Sequence, residues 1–221
     1  MMANSYAFEW PPLLSVLVVT STANGDDTVT GLSELAAGLG ATGHRVRRVC
    51  APGPTAHEPS PQEIPFRPVR GATGRLHLVG ELAACSRIIY QALCTETTHI
   101  IHCASPRMAR ASSLATFPYM LRHPCAPEPA IVTTIGDADY LDAVCTQSLG
   151  RRVRLPSDCV IVSTAHARDA ILSRTHDQRL GERVHVIAAG DGLVATTLVV
   201  YRVAWDRRQR ENERALLPIE I

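Results

Sequence analysis

Aromatic residues are scarce: three Phe, two Trp and five Tyr make up 5% of the 221 residues. So few rings argue against a protein that holds single strands by base stacking. Neither charge is in excess. Arg and Lys total 22, Asp and Glu 21, and the formal net charge is +1, which gives no global field for nucleic acid or an anionic membrane. No apolar run has the length of a bilayer-spanning helix, and MMANSYAFEWPPLLSVLVVTS lacks the basic start of a secretory signal. The seven cysteines, at 50, 85, 94, 103, 125, 145 and 159, are odd in number and contain no C-x-x-C pair. Neither a disulfide framework nor a metal cluster is expected, and buried free thiols in a reducing cytoplasm fit better. The nine histidines show no H-x-x-x-H or H-E-x-x-H spacing, so zinc is not expected.

Several signatures of chemistry are missing too. No G-x-G-x-x-G follows the first strand, and there is neither a Walker A lysine nor a G-x-S-x-G elbow. Ser163, His166 and Asp169 fall within one short segment. Catalytic triads are assembled from separate elements, so this segment reads as a capped helix start, with Ser163 or Thr164 at the cap.

Apolar residues make up 46% of the chain, enough for a sizeable core. Leu14 to Thr20 is the valine-rich run of a strand buried on both faces. Leu32, Leu35, Ala36 and Leu39 follow at helical spacing, Gly43 supplies the left-handed stop, and Arg45 to Cys50 is a second strand. Residues 51–74, rich in proline, read as a loop. A helix is predicted over 75–94, strands at 99–105, 129–135, 158–163 and 183–189, and helices at 107–122 (kinked or ended by Pro118), near 138–149 and after 163. Strand and helix alternate throughout. The expected fold is α/β: a single Rossmann-like, mostly parallel sheet with helices on both faces. Residues 196–221 break the alternation and read as a helix laid across the domain, its arginines (Arg207, Arg208 and Arg210) on a solvated face.

The order of segments resembles that of the family-4-like glycosyltransferases of GT-B fold. SVLVVTSTANGDD…GLSELAAGLGATGHRVRRV is similar to the family's opening strand, loop and helix ending in Gly-His. THIIHCASP, PAIVTTIGDADYL, SDCVIVSTAHARDAIL and RVHVIAAGDGL resemble its later segments, in the family's order, over residues 14–194. The resemblance implies an N-terminal, acceptor-side domain over 1–194. It also implies that 195–221 packs on that domain as the crossing helix, with Tyr201 and Trp205 as packing anchors. It implies no cofactor, with a nucleotide-sugar as donor substrate.

Ligands of open α/β sheets sit beyond the strands' C-terminal ends. The candidate acceptor or cleft residues are therefore Gly25, Asp26, Asp27, Thr30, Gly31, His102, Thr134, Gly136 and Asp137. The aspartates are suited to gripping hydroxyls, and Thr30 and Gly31 to offering backbone N–H groups at a helix start. The family's histidine falls at Ile135 here, and the donor-side glutamates and Arg/Lys have no counterpart. These features support an alternative, a non-catalytic scaffold or partner subunit derived from a glycosyltransferase. Expected partners are a small-molecule or glycan acceptor and a second copy or separate donor-domain subunit, with no nucleic acid. A different nucleotide-using α/β enzyme is the third reading.

Overall fold

Valine-rich runs alternating with longer amphipathic stretches build a parallel sheet wrapped by helices in the computed structural model, which describes residues 10–20, 28–50, 63–65, 75–136, 156–174, 181–188, 190 and 192–216. The elements are β1 (Ser15–Thr20), α1 (Thr28–Ala41), β2 (Arg45–Cys50), β3 (Glu63–Pro65), α2 (Arg75–Thr95), β4 (Ile100–Cys103), α3 (Pro106–Arg122), β5 (Ala130–Ile135), β6 (Cys159–Val162), α4 (Ala165–Arg174), β7 (Val184–Val186) and α5 (Leu193–Leu216). The strands lie in the order β3-β2-β1-β4-β5-β6-β7, and every neighbouring pair is parallel. The chain thus has a Rossmann-like α/β fold. No helix among the described residues is long and apolar enough to cross a membrane.

Strand alternation divides the core between two faces. Leu14, Val16, Val18, Ile100 and Val132 meet Leu35 and Leu39 of α1 and Val200, Tyr201, Ala204 and Trp205 of α5. Leu17, Val19, Ile101 and Ile131 pack against α2 and α3 on the other face. Ile135, Val160 and Val162 meet Ala167 and Ile171 of α4. On α5 the buried positions are Thr197, Val200, Tyr201, Ala204, Trp205 and Gln209, a stripe at helical spacing. It brings α5 against α1, where a Cβ on Gly38 would lie 2.5 Å from Val194 Cγ2. Glycine therefore sets how closely these two helices approach.

Several expectations need correction. Residues 63–65, read within a loop, form an edge strand paired with β2. Three residues are too few to show a period, and Pro65 is tolerated because an edge strand has one unpaired side. The sheet accordingly has seven strands rather than six. Helix α3 does run to Arg122, as its expected bounds have it, with Pro118 inside it rather than at its end. The arginines of α5 are not simply a solvated face. Arg208 grips the buried carboxylate of Asp158, with Nη2 2.9 Å from Oδ1 and Nε 3.2 Å from Oδ2. The helix predicted near 138–149 lies outside the described residues.

Two local readings hold. Gly43 has φ 88°, and Thr164 Oγ1 accepts the Ala167 N–H at 3.1 Å as the cap of α4. Arg47 carries a role that strand periodicity hides. Its buried guanidinium donates to Ala92 O and to Thr98 Oγ1, at 3.0 and 2.8 Å, and so closes the carbonyl end of α2. Burial pushes the thiols of Cys85, Cys103 and Cys159 up to about 12, which keeps them protonated and unreactive at neutral pH.

Candidate functional site at the C-terminal edge of the sheet

Strand order reverses between β1 and β4, since β2 and β3 lie to one side and β5 to β7 to the other. Such a switch point is where helices diverge and leave a crevice. The register fixes which residues meet there. Val18 lies beside His102 and Val19 beside Cys103, and Cys103 lies beside Thr133. Ala104 N–H donates to Val19 O at 2.9 Å, which carries the ladder one step further. Thr20, Ala104 and Thr134 therefore stand in one row. Period-two alternation puts Thr20, His102 and Thr134 on the face covered by α1 and α5. Thr20 and Thr134 are two strands apart, roughly 9.6 Å by strand spacing, with Ala104 between them in the row.

His102 has no exposed surface. Its Nδ1 lies 2.6 Å from the Tyr201 hydroxyl and its Nε2 lies 2.7 Å from Thr134 Oγ1. Burial lowers its pKa from 6.5 to about 3, so the ring is neutral at neutral pH. Tyr201 is buried as well, and its hydroxyl has only this one partner among the described residues. If Nδ1 carried the proton, the phenolic hydrogen would be orphaned, at a cost of about 1–3 kcal/mol. The satisfied arrangement has Tyr201 donating to Nδ1 and Nε2–H donating to Thr134. Thr134 Oγ1 is thereby an acceptor toward the protein, and its own hydrogen is free to be donated at the sheet edge. Thr20 Oγ1 is buried with no hydrogen-bond partner among the described residues, an exception among buried hydroxyls.

The expected site residues are distributed as follows. His102 and Thr134 come together, but His102 meets the edge only through Thr134. Gly136 is buried just beyond β5. Thr30 and Gly31 lie in the first turn of α1, among the four leading N–H groups that lack intrahelical acceptors. That turn carries no acidic residue. Gly25, Asp26, Asp27 and Asp137 lie outside the described residues. Ile135 faces away from the row, packed with Val160 and Val162.

Sequence reasoning missed Thr20, although a hydroxyl ending an otherwise apolar central strand was a visible signal. It also took Tyr201 for a packing anchor only. Two shallow hollows, of about 320 and 530 Å³, lie elsewhere, at the β7 edge and at the strands' N-terminal ends.

No family model matches the sequence, and no curated protein matches it. Solved structures do. A glycosyltransferase from Rickettsia africae is 16% identical with a TM-score of 0.53, over 81% of this chain and 44% of that one. Sucrose-phosphate synthase from Thermosynechococcus elongatus is 14% identical with a TM-score of 0.54, over 80% and 48%. UDP-N-acetylglucosamine 2-epimerase from Rickettsia bellii is 14% identical with a TM-score of 0.51, over 93% and 52%. At such identities the likeness shows the fold, and this chain spans about half the length of each of those proteins.

Proposed function

We propose that this chain is the acceptor-binding half of a nucleotide-sugar-dependent glycosyl transfer system. In this reading residues 1–194 form the acceptor-side domain and 195–221 its crossing helix, and a separate domain or subunit binds the donor. The observation that carries it is the hydroxyl row at the switch point, with Thr134 set as a donor and Thr20 unsatisfied. A neutral polyhydroxy ligand matches such groups. The leading N–H groups of α1 add an electropositive helix end near the same edge. Chemistry in such a system is mostly positioning and stabilisation of the leaving diphosphate, and this half supplies the positioning of the acceptor.

The test is calorimetric titration of the chain with a panel of acceptor sugars and with UDP-, GDP- and dTDP-sugars. An acceptor sugar binds, and Thr134→Val weakens it about tenfold while Thr134→Ser retains it, as expected for one buried-edge hydrogen bond. Tight binding of a nucleotide-sugar with no effect of Thr134→Val would overturn the assignment.

A scaffold role is the second reading, favoured by the outer face of α3. Leu114, Phe117 and Leu121 are 58%, 70% and 71% exposed, and their spacing puts them in one stripe. Exposed apolar stripes of this kind mark protein contacts. On this reading the chain sediments as a dimer and Phe117→Asp makes it monomeric. A wild-type monomer at every concentration counts against it.

A further inference from the structure

At the outer edge of the sheet, two strands beyond Thr134, a hollow of about 320 Å³ opens between α4, β7 and α5. Its polar wall is Arg168 of α4, His185 of β7 and Thr196 of α5, and its apolar wall includes Val186, Ile187 and Val199. The volume is at the lower end of the range for small-molecule sites.

Two polar atoms of these lining side chains lie unsatisfied behind the wall. His185 Nε2 and Arg168 Nε are both buried without a hydrogen-bond partner. Buried polar groups are nearly always paired, so two orphans bordering one hollow call for an explanation. Charge points the same way. None of the described lining residues is acidic. Glu182, just before β7, is turned to Arg207 at 3.9 Å. His185 faces Arg168 from α4 and Arg207 from α5. Its pKa is lowered, first by burial and then by those two cations. Among the described residues the site therefore holds positive potential with no counter-charge in its lining. Its rim is apolar and wet, Val186 being 41% and Val199 63% exposed.

We propose that this hollow binds a small amphiphilic oxyanion, its phosphate or carboxylate head held by Arg168 and His185 and its apolar body covering Val186 and Val199. The fork of the guanidinium suits two oxygens of such a head, and the imidazole supplies a further donor once it is protonated. Bound anion favours the imidazolium, so binding raises the His185 pKa and affinity rises as pH falls. The site is separate from the hydroxyl row and does not depend on the glycosyl transfer reading.

The experiment is a titration of the full 15N-labelled chain, followed by NMR, with octyl phosphate below its micelle concentration. Octanoate, inorganic phosphate and octanol serve as comparisons. Octyl phosphate or octanoate is expected to bind at least tenfold more tightly than inorganic phosphate or octanol, and whichever is tighter identifies the head group. Arg168→Leu weakens the charged amphiphile about tenfold or more, as for loss of a charge-assisted hydrogen bond. His185→Gln abolishes the pH dependence and checks the site independently should Arg168→Leu fold poorly. The proposal falls if neither amphiphile binds, if octanol binds as well as octyl phosphate, or if His185 titrates at the same pH with and without bound anion.

Discussion

An Arg208→Met variant will unfold at much lower urea concentration than the wild type, with about 3–5 kcal/mol of stability lost. Asp158 sits at the entry to β6 with its side chain 1% exposed. It accepts the Ile131 N–H at 2.7 Å and holds Arg208 through both carboxylate oxygens. Burial pushes its pKa up, against the pull of Arg208 and of the Ile131 N–H. Without Arg208 the main opposing pull is gone while the burial stays.

The carboxyl then climbs further above its unfolded value of 3.8. A raised acid contributes stability that is present below the unfolded pKa and lost as pH rises through the folded one. The deficit of Arg208→Met is therefore smallest near pH 3 and largest at neutral pH. Asp158→Asn in the same chain removes the stranded charge and restores part of the loss. A double-mutant cycle between the two positions will show strong coupling. Additive single effects, or a deficit that does not change with pH, would contradict the account.

A second large effect concerns acid. The His102 pKa lies near 3 in the fold against 6.5 unfolded. A depressed histidine contributes stability that is fully present above 6.5 and lost as pH falls toward 3, because only the unfolded chain takes the proton. Between the plateau and pH 5, His102 alone costs about 2 kcal/mol, at about 1.4 kcal/mol per pH unit once below 6.5. His99 and His185 are lowered too and add in the same direction. His102→Gln retains an acceptor for Tyr201 and a donor for Thr134 but does not titrate, so its stability will fall less steeply over this range. Imidazole 15N shifts of the wild type will show His102 neutral at pH 5, protonated on Nε2 and bare on Nδ1. An imidazolium at that pH, or a proton on Nδ1, would refute the hydrogen-bond order derived above.

The sequence made strands and helix faces legible where the apolar period was long. Val16 to Val19 announce a strand buried on both faces, and Leu32, Leu35, Ala36 and Leu39 announce one side of α1. Glu63–Pro65 was invisible because an edge strand is specified by its pairing with β2, not by any period of its own. Pro118 does not end α3 because the cost of a proline inside a helix is local, while α3 is held by buried Met108, Ala115 and Tyr119 on both sides of it. The site was half legible. A histidine and a threonine at the ends of β4 and β5 could be marked from strand position alone. That Tyr201 joins them across 99 residues of sequence is a tertiary fact. Arg208 was misread for the same reason: its partner Asp158 lies 50 residues earlier, on a different element.

The position of α5 in the chain bears on synthesis. A ribosome delivers β1 through β7 before the helix that covers one face of the central strands. Until Tyr201 and Trp205 emerge, Val132, Ile161 and the His102 ring lack their cover, and Asp158 lacks its cation. A nascent chain arrested before residue 193 then has α1 but not α5 on that face of the sheet, and apolar surface exposed in this way is prone to aggregate. Docking of α5 closes that flank, and the same step brings the Tyr201 hydroxyl to His102 Nδ1 and leaves the ring proton on Nε2.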